Sequence, residues 1–253
     1  MTPLCVQLYS VRDDAALDFA GVLTRLGQVG FVGVELAGFH GMAPAELARR
    51  VADNGLVVSS AHVNSSGPSD AFAAALDDLA RVGCDTVIMP FLPPDAFADL
   101  DAVKRSADAL NQANQVARSH GFTFGYHNHF WEFEREFDGR SALFYLYDLL
   151  ADDIVAELDV YWARVGGADP IEAIGRLGSR VRLLHVKDGP ADDRKAANVA
   201  VGNGSIDVAG VLTAAPDVAW HVVEFDRCDT DVFAAIEESY GFLVGLGYSR
   251  GRR

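Results

Sequence analysis

Gly121-Phe122-Thr123-Phe124-Gly125-Tyr126-His127-Asn128-His129-Phe130-Trp131-Glu132-Phe133 contains one full turn of the pattern that repeats along this chain. Gly121 ends a helical stretch whose apolar residues Leu100, Val103, Ala107, Leu110 and Val116 recur at helical spacing. Glycine suits that place because it enters the left-handed helix cap without steric cost. Residues 122–127 then read as a short buried strand, and the strand runs out into His127, His129 and Glu132, groups able to bind a metal or carry a proton. Outward in both directions the alternation continues. Strands are expected at residues 6–11, 33–36, 56–63, 86–91, 122–127, 154–158, 181–186 and 220–225, with amphipathic helices between them and glycines at 30, 55, 83, 121 and 178 closing five of those helices. No charge-rich linker or change of composition separates the halves. Eight such units argue for an α/β fold, a single (β/α)8 TIM barrel over residues 1–253. A doubly wound open sheet is the alternative, but it would bring a glycine-rich first turn, and Leu8-Tyr9-Ser10-Val11-Arg12 is not one.

Composition narrows the function. The chain has 253 residues, half of them hydrophobic, and a formal net charge of −15. That field repels phosphate backbones and offers no counterion-release drive, so a nucleic-acid partner is disfavoured. Cys5, Cys84 and Cys228 form an odd, scattered set without metal-type spacing, which suits reduced thiols. Met1-Thr2-Pro3-Leu4 is not the start of a secretory signal, and no apolar run approaches membrane-spanning length. The expectation is a cytoplasmic protein without a membrane partner; a homo-oligomer is compatible with the sequence but not specified by it.

Active sites in (β/α)8 barrels lie at the C-terminal ends of the strands. Three more strand ends resemble the first in chemistry: Glu157-Leu158-Asp159-Val160-Tyr161-Trp162, Leu184-His185-Val186-Lys187-Asp188 and Val222-Val223-Glu224-Phe225-Asp226. Side chains alternate along a strand, so Asp159 shares a face with Glu157, His185 with Lys187, and His127 with His129. Asp159, His185 and Glu224 can therefore converge from strands six, seven and eight, with His127 arriving from strand five. A lone histidine at a strand end is commonly structural and a lone acid commonly caps the next helix. Two acids and two imidazoles on adjacent strands are better explained by one divalent ion; the mixed O/N set suits Mn2+, with Zn2+, Co2+ or Mg2+ as alternatives. His62, His129, Glu132 and Trp162 are candidates for touching substrate, Glu35 and His62 for supporting the ligands. For Tyr126, Trp131 and Trp162, packing and lining a sugar pocket are equally good readings. Arg12 is as well explained by solvent as by substrate. Lys187 could polarise a substrate oxygen or hold an anionic group. Gly202-Asn203-Gly204 reads as a hinge in the longest loop rather than a phosphate cradle.

These motifs together resemble the sugar phosphate isomerase/epimerase family of xylose isomerase-like barrels. The resemblance rests on Tyr-His-Asn-His-x-x-Glu-Phe at 126–133, Glu-Leu-Asp at 157–159 with Trp162 after it, His-Val-Lys-Asp at 185–188, Val-Gly-x-Gly-x-Ile-Asp at 201–207, Val-Glu-x-Asp at 223–226 and the opening Gln7-Leu8-Tyr9-Ser10-Val11-Arg12. It spans nearly the whole chain. It implies a single divalent cation held by Asp159, His185 and Glu224 with position 127 as the fourth ligand, and a small carbohydrate substrate. Two departures accompany it. Ketose 3-epimerases have a glutamate where this chain has His127, and they tend to have a histidine at the place of Trp162 and an arginine beyond the strand-seven histidine. A histidine at strand five is similar to inosose dehydratases.

The expected chemistry is common to both groups: a metal-stabilised enediolate forms when Glu224, or an imidazole at His127 or His129, removes the proton beside a carbonyl. Returning the proton gives epimerisation or isomerisation; losing a β-hydroxyl gives dehydration of a keto-cyclitol or 3-keto-glycoside. An endonuclease IV-like phosphodiesterase would need more metal ligands than the sequence offers, and a non-catalytic sugar-binding barrel would keep the pocket without the turnover.

Overall fold

The computed structural model of the protein describes residues 1–67 and 69–252. Eight parallel strands close on themselves: β1 (Thr2–Gln7), β2 (Gly33–Leu36), β3 (Val57–His62), β4 (Thr86–Met89), β5 (Thr123–His127), β6 (Val155–Asp159), β7 (Val181–Val186) and β8 (Trp220–Val223). Each pairs with its neighbour in sequence, and β8 pairs with β1 to complete the barrel. Around it run α1 (Arg12–Val29), α2 (Pro44–Asp53), α3 (Ser69–Arg81), α4 (Leu100–Ser119), α5 (Ala142–Leu149), α6 (Pro170–Leu177), α7 (Val208–Ala214) and α8 (Val232–Gly245). This is the (β/α)8 architecture read from the sequence.

Local chemistry sets the helix ends. Asp99, Asp169, Asp207 and Asp231 accept hydrogen bonds from amides in the first turns of α4, α6, α7 and α8, satisfying donors that have no partner within the helix. Pro44 and Pro170 start α2 and α6, where the missing N–H costs nothing. Gly30 ends α1 at φ 113° with its amide on the Leu26 carbonyl, a conformation a residue with a Cβ enters only under strain. The inward stripe of α1, with Phe19, Val22, Leu23 and Leu26 buried, packs in the continuous apolar layer between helices and sheet.

Strand parity divides the barrel interior into floor and site. Cys5, Leu183 and Val222 form a separate apolar cluster with Ile88; each stands two residues before Gln7, His185 or Glu224, and so on the same inward face. Gly125 holds the matching place two residues below His127, where a Cβ would press against the Ile88 and Val155 side chains. Buried hydrocarbon therefore seals the barrel directly beneath its polar groups.

Several expected boundaries move. The first strand is Thr2–Gln7, not residues 6–11: Leu8–Val11 is a 310 turn that begins where Gln7 accepts a hydrogen bond from the Tyr9 amide at 3.1 Å and that buries Leu8, Ser10 and Val11. An apolar run does not distinguish strand from buried turn. β4 stops at Met89, ahead of Pro90, which has no N–H for the ladder. β6 reaches Asp159, whose side chain caps the short helix Val160–Val165, and β8 ends at Val223, so Glu224 opens the loop. A two-stranded ribbon, Glu136–Phe137 with Arg140–Ser141, interrupts the path from β5 to α5. The basic tail is not loose, since Ser249–Arg250 pairs with β1 at the N-terminal end of the barrel. No helix among the described residues is long and apolar enough to cross a membrane.

Candidate active site

The strand ends bring His127, Asp159, His185 and Glu224 together. One ligand atom from each lies within 4.8 Å of the others, and all four residues are buried. Register explains the convergence: His127 stands beside Glu157 across β5 and β6, and Asp159 beside His185 across β6 and β7. Asn128 stitches β5 to β6, its side-chain oxygen accepting from the Asp159 amide at 3.0 Å and its nitrogen donating to the Asp159 carbonyl at 3.3 Å.

Both imidazoles divide their nitrogens between two layers. His185 directs Nε2 to Glu35 Oε1 at 2.8 Å and Nδ1 to Glu224 Oε2 at 2.8 Å. His127 directs Nδ1 to Glu157 Oε2 at 3.1 Å and Nε2 towards Asp159 Oδ2 at 3.8 Å. Burial opposes charge on His185, but Glu157, Glu224 and Glu35 outweigh it and hold its imidazole well above the usual range, so an ion would have to displace its Nδ1 proton. In the tautomers that donate to Glu35 and Glu157, the nitrogens facing Asp159 and Glu224 then offer lone pairs. That is how a metal-ligating histidine is usually held, with a carboxylate behind it fixing tautomer and ring orientation.

The layer behind is a hydrogen-bonded network in which one atom, Glu157 Oε1, is buried without a partner. Glu35 accepts from Gln7 Nε2 at 2.7 Å and from the Ser60 hydroxyl. Glu157 Oε2 meets His62 Nε2 at 2.6 Å as well as His127 and His185 Nε2, the last at 3.1 Å. His62, His127, Glu157 and His185 thus form a second set with ligand atoms within 4.8 Å of one another, sharing two imidazoles with the first. Burial and the nearby Glu157 push the Glu35 carboxyl up. Burial would raise Glu157 too, but His185 and His62 outweigh it and hold that carboxyl well below the usual range. The two acids are driven apart, the condition under which a pair of like charges sits side by side.

Lys187 is buried in the upper layer. Burial opposes its charge, yet its ammonium lies 2.8 Å from Asp159 Oδ2, 2.6 Å from Glu224 Oε2 and 2.6 Å from Asp226 Oδ2, and these carboxylates hold it firmly protonated. Burial would likewise raise Glu224, but Lys187 and His185 keep it well below the carboxylate range. Asp159 is different: burial pushes it up to about 6 against the pull of Lys187. One of its oxygens accepts from the Trp162 amide at 2.8 Å. The other, Oδ2, is close to Lys187 but not in hydrogen-bonding alignment, and it is buried without a hydrogen-bond partner. An anchored carboxylate whose second oxygen has only the Lys187 ammonium beside it, facing two imidazole nitrogens and a second carboxylate, is a donor set that fits a divalent cation.

A cavity of about 480 Å3 opens above this cluster, lined by His62, His127, His129, Glu224 and Asp226, with Tyr9 and Phe91 at its rim. Of the four residues expected to touch substrate, His62 and His129 line this cavity. Glu132 and Trp162 do not line it. Glu132 is fully buried, accepting from the Tyr126 hydroxyl at 2.6 Å and the His129 amide at 3.1 Å; burial raises its carboxyl to about 7. Trp162 is 9% exposed and backs the Lys187 ammonium, 5.6 Å from its ring centre. Lys187 is also withdrawn from the cavity wall, its donors spent on carboxylates. Tyr126 proves to be packing, while Trp131 stacks on His129 with ring centres 4.5 Å apart. Arg12 reaches the rim and donates to the Tyr9 and Asp226 carbonyls.

Sequence reasoning left Asp226, Gln7 and Ser60 without a role and gave Glu157 only a place one layer down. Asp226 was within reach, since it stands two residues after Glu224 on the same parity. The partnership of Gln7 with Glu35 depends on the β1–β2 register, which pairs these two positions.

A family model described as xylose isomerase-like TIM barrel matches residues 23–228. No curated protein matches the chain. Among solved structures, a sugar phosphate isomerase/epimerase from Parabacteroides distasonis is 23% identical with a TM-score of 0.86, the alignment covering 99% of this chain and 100% of that one. An L-ribulose 3-epimerase is 18% identical with a TM-score of 0.71, covering 98% and 95%. A probable 3-DHS dehydratase from Bacillus anthracis is 13% identical with a TM-score of 0.75, covering 96% and 99%. At these identities the likeness is one of fold.

Proposed function

Since the chain belongs to the xylose isomerase-like TIM barrel family, we propose that it is an isomerase or epimerase of a carbohydrate, dependent on one divalent cation, Mn2+ first among the candidates. His127, Asp159, His185 and Glu224 would hold the ion. The observation that carries this is the division of both imidazoles, one nitrogen of each on a buried carboxylate and the other facing Asp159 or Glu224. The cation supplies a Lewis acid for a substrate carbonyl oxygen.

The protein's own groups supply the proton transfer. Glu224 is held ionised and lines the cavity. Its contacts with His185 and Lys187 both fall on Oε2, which leaves Oε1 to take a proton from the carbon beside the carbonyl. His127 is a poorer base: both nitrogens are committed, and burial pulls its pKa down to about 3. Burial also holds His129 well below the usual imidazole range. Lys187 fixes Glu224 and Asp159 rather than gripping substrate. Returning the proton to the same carbon gives an epimer, and to the neighbouring carbon an isomer.

Dehydration is the second reading, and His127 favours it. With an imidazole in place of a second carboxylate at β5, and with Asp226, the other carboxylate among the described lining residues, accepting from Lys187 at 2.6 Å, Glu224 is left to move a substrate proton, which suits removal of a proton and loss of a β-hydroxyl without a second base.

The test is the metal content of purified protein beside Asp159→Asn and His185→Ala, followed by deuterium uptake from D2O into ketoses, keto-cyclitols and 3-keto-glucosides. The expected result is about one transition metal per chain, lost in both variants, with uptake that depends on it. A product absorbing in the ultraviolet with loss of water would assign the lyase. Wild-type protein that takes up no metal after reconstitution with Mn2+ would remove the site.

A further inference from the structure

Resting on the proposed function and naming its substrate class, we infer that the site takes a carbohydrate bearing no phosphate group. The cavity wall comes first. Among the described residues, no lysine or arginine lines it, whereas Glu224 and Asp226 do. The two nearest cations are engaged. Lys187 lies between three carboxylates at 2.6–2.8 Å. Arg12 donates to the Tyr9 carbonyl at 2.8 Å and the Asp226 carbonyl at 3.0 Å, with its guanidinium 4.2 Å from the centre of the Tyr9 ring. Even with a divalent cation in place, its two charges and that of Lys187 are balanced by Asp159, Glu224 and Asp226. A phosphate dianion would add two negative charges opposite no lysine or arginine that is not already engaged, and the one lining imidazole drawn towards its charged form, His62, is itself held by Glu157 at 2.6 Å.

The backbone closes the other route. Barrels of this architecture commonly bind phosphate on amides of the loops after strands seven and eight and at nearby helix N-termini. Here the chain's own carboxylates occupy those amides. Asp188 accepts from Gly189 at 2.9 Å, Gly202 at 2.9 Å, Gly204 at 3.0 Å and Ile206 at 3.1 Å. Asp207 takes the Gly210 amide and Asp231 the Ala234 amide, each at 3.0 Å. A phosphate approaching any of them meets a fixed negative charge where it would need a donor, and the net charge of −15 opposes the approach from further out.

What the cavity offers suits a neutral polyol. Carboxylates and imidazoles can bond hydroxyls. Tyr9 and Phe91, each 44% exposed, line the cavity after β1 and β4, three strands apart around the barrel; with Arg12 over one face of Tyr9, they are the aromatic rings available to cover the C–H face of a sugar.

The experiment uses Mn2+-reconstituted protein and matched pairs, D-fructose with D-fructose 6-phosphate and D-ribulose with D-ribulose 5-phosphate. Binding is read by calorimetric titration and exchange by deuterium uptake. The expected result is binding of a free ketose tighter than its ester by at least about tenfold, the scale of a like-charge clash at a recognition site, with uptake following binding. Phe91→Ala should weaken the free ketose about three- to tenfold with metal content unchanged. An ester that binds or exchanges as well as its free sugar would overturn the inference. An unchanged titration in Phe91→Ala would overturn its aromatic part. Free ketose that binds without exchange would uphold the substrate class while removing the proposed function.

Discussion

Glu157 Oε2 is hydrogen-bonded to His62 and His127 and lies 3.1 Å from His185 Nε2, and so sets ring positions without itself facing the cavity. Removing its charge should cost metal affinity although no ligand is lost: Glu157→Gln is expected to weaken Mn2+ binding about 10–100-fold, the usual range for a carboxylate behind a ligating histidine. Calorimetric titration decides it, and unchanged affinity would show that His127 and His185 are oriented by packing alone. Glu132 makes a prediction of opposite kind. Its carboxyl is raised from 4.5 to about 7, chiefly by burial. Below pH 4.5 it is neutral in both folded and unfolded chains; between 4.5 and 7 only the unfolded chain gives up the proton, so stability falls as pH rises, and the loss is complete above about 7. At most this is ~3 kcal/mol. Glu132→Gln should remove that part of the slope, so that the variant gains on wild type between pH 5 and pH 8 in denaturant titrations, on the order of 1–3 kcal/mol. Parallel pH profiles would mean that the buried acid finds its charge compensated.

Among the elements, the loop from Lys187 to α7 is long, yet its residues are fastened at one point. The four amides on Asp188 wrap the backbone around a carboxylate, and a Cβ at Gly204 would run into that carboxylate and the Gly189 amide. This accounts for the Val-Gly-x-Gly-x-Ile-Asp pattern: glycine is required by close approach rather than by hinge motion. The need for glycine was legible in the sequence; its partner was not, because Asp188 lies 16 positions from Gly204 and nothing in local spacing connects them. Asp188→Ala would leave four donors without their acceptor, each worth about 1–3 kcal/mol if it stayed buried. The expected outcome is faster hydrogen exchange at Gly189, Gly202, Gly204 and Ile206 and a lower melting temperature, with Asp188→Asn intermediate. Exchange that stays slow in the alanine variant would sink the account.

Over the whole molecule, the barrel was readable because each unit repeats a simple rule: an apolar strand, a helix with one buried stripe, and often a glycine at its end. The exceptions lie where an apolar run has no period to separate strand from turn, as at Leu8–Val11. The ligand cluster was readable because strand parity alone sends His127, Asp159, His185 and Glu224 inward. The layer behind it depends on register between strands, and the inward turn of Glu132 depends on a short helix, Trp131–Glu134, that the sequence does not announce. That division has a thermodynamic consequence. The network joins β1 through Gln7, β2 through Glu35, β3 through Ser60 and His62, and β5 to β8 through the cluster itself. An ion bound there restrains strands around most of the barrel, so its binding energy should appear as stability of the whole fold. At about 100 times its dissociation constant, Mn2+ should add about 2.7 kcal/mol, a rise of roughly 5–10 °C in melting temperature for a chain of this size. Calorimetry should show one transition moving as a unit, returning when the metal is chelated, and unmoved by Mn2+ in His185→Ala. A transition that splits, with only part of it shifting, would mean that the site and the barrel fold are not coupled through this network.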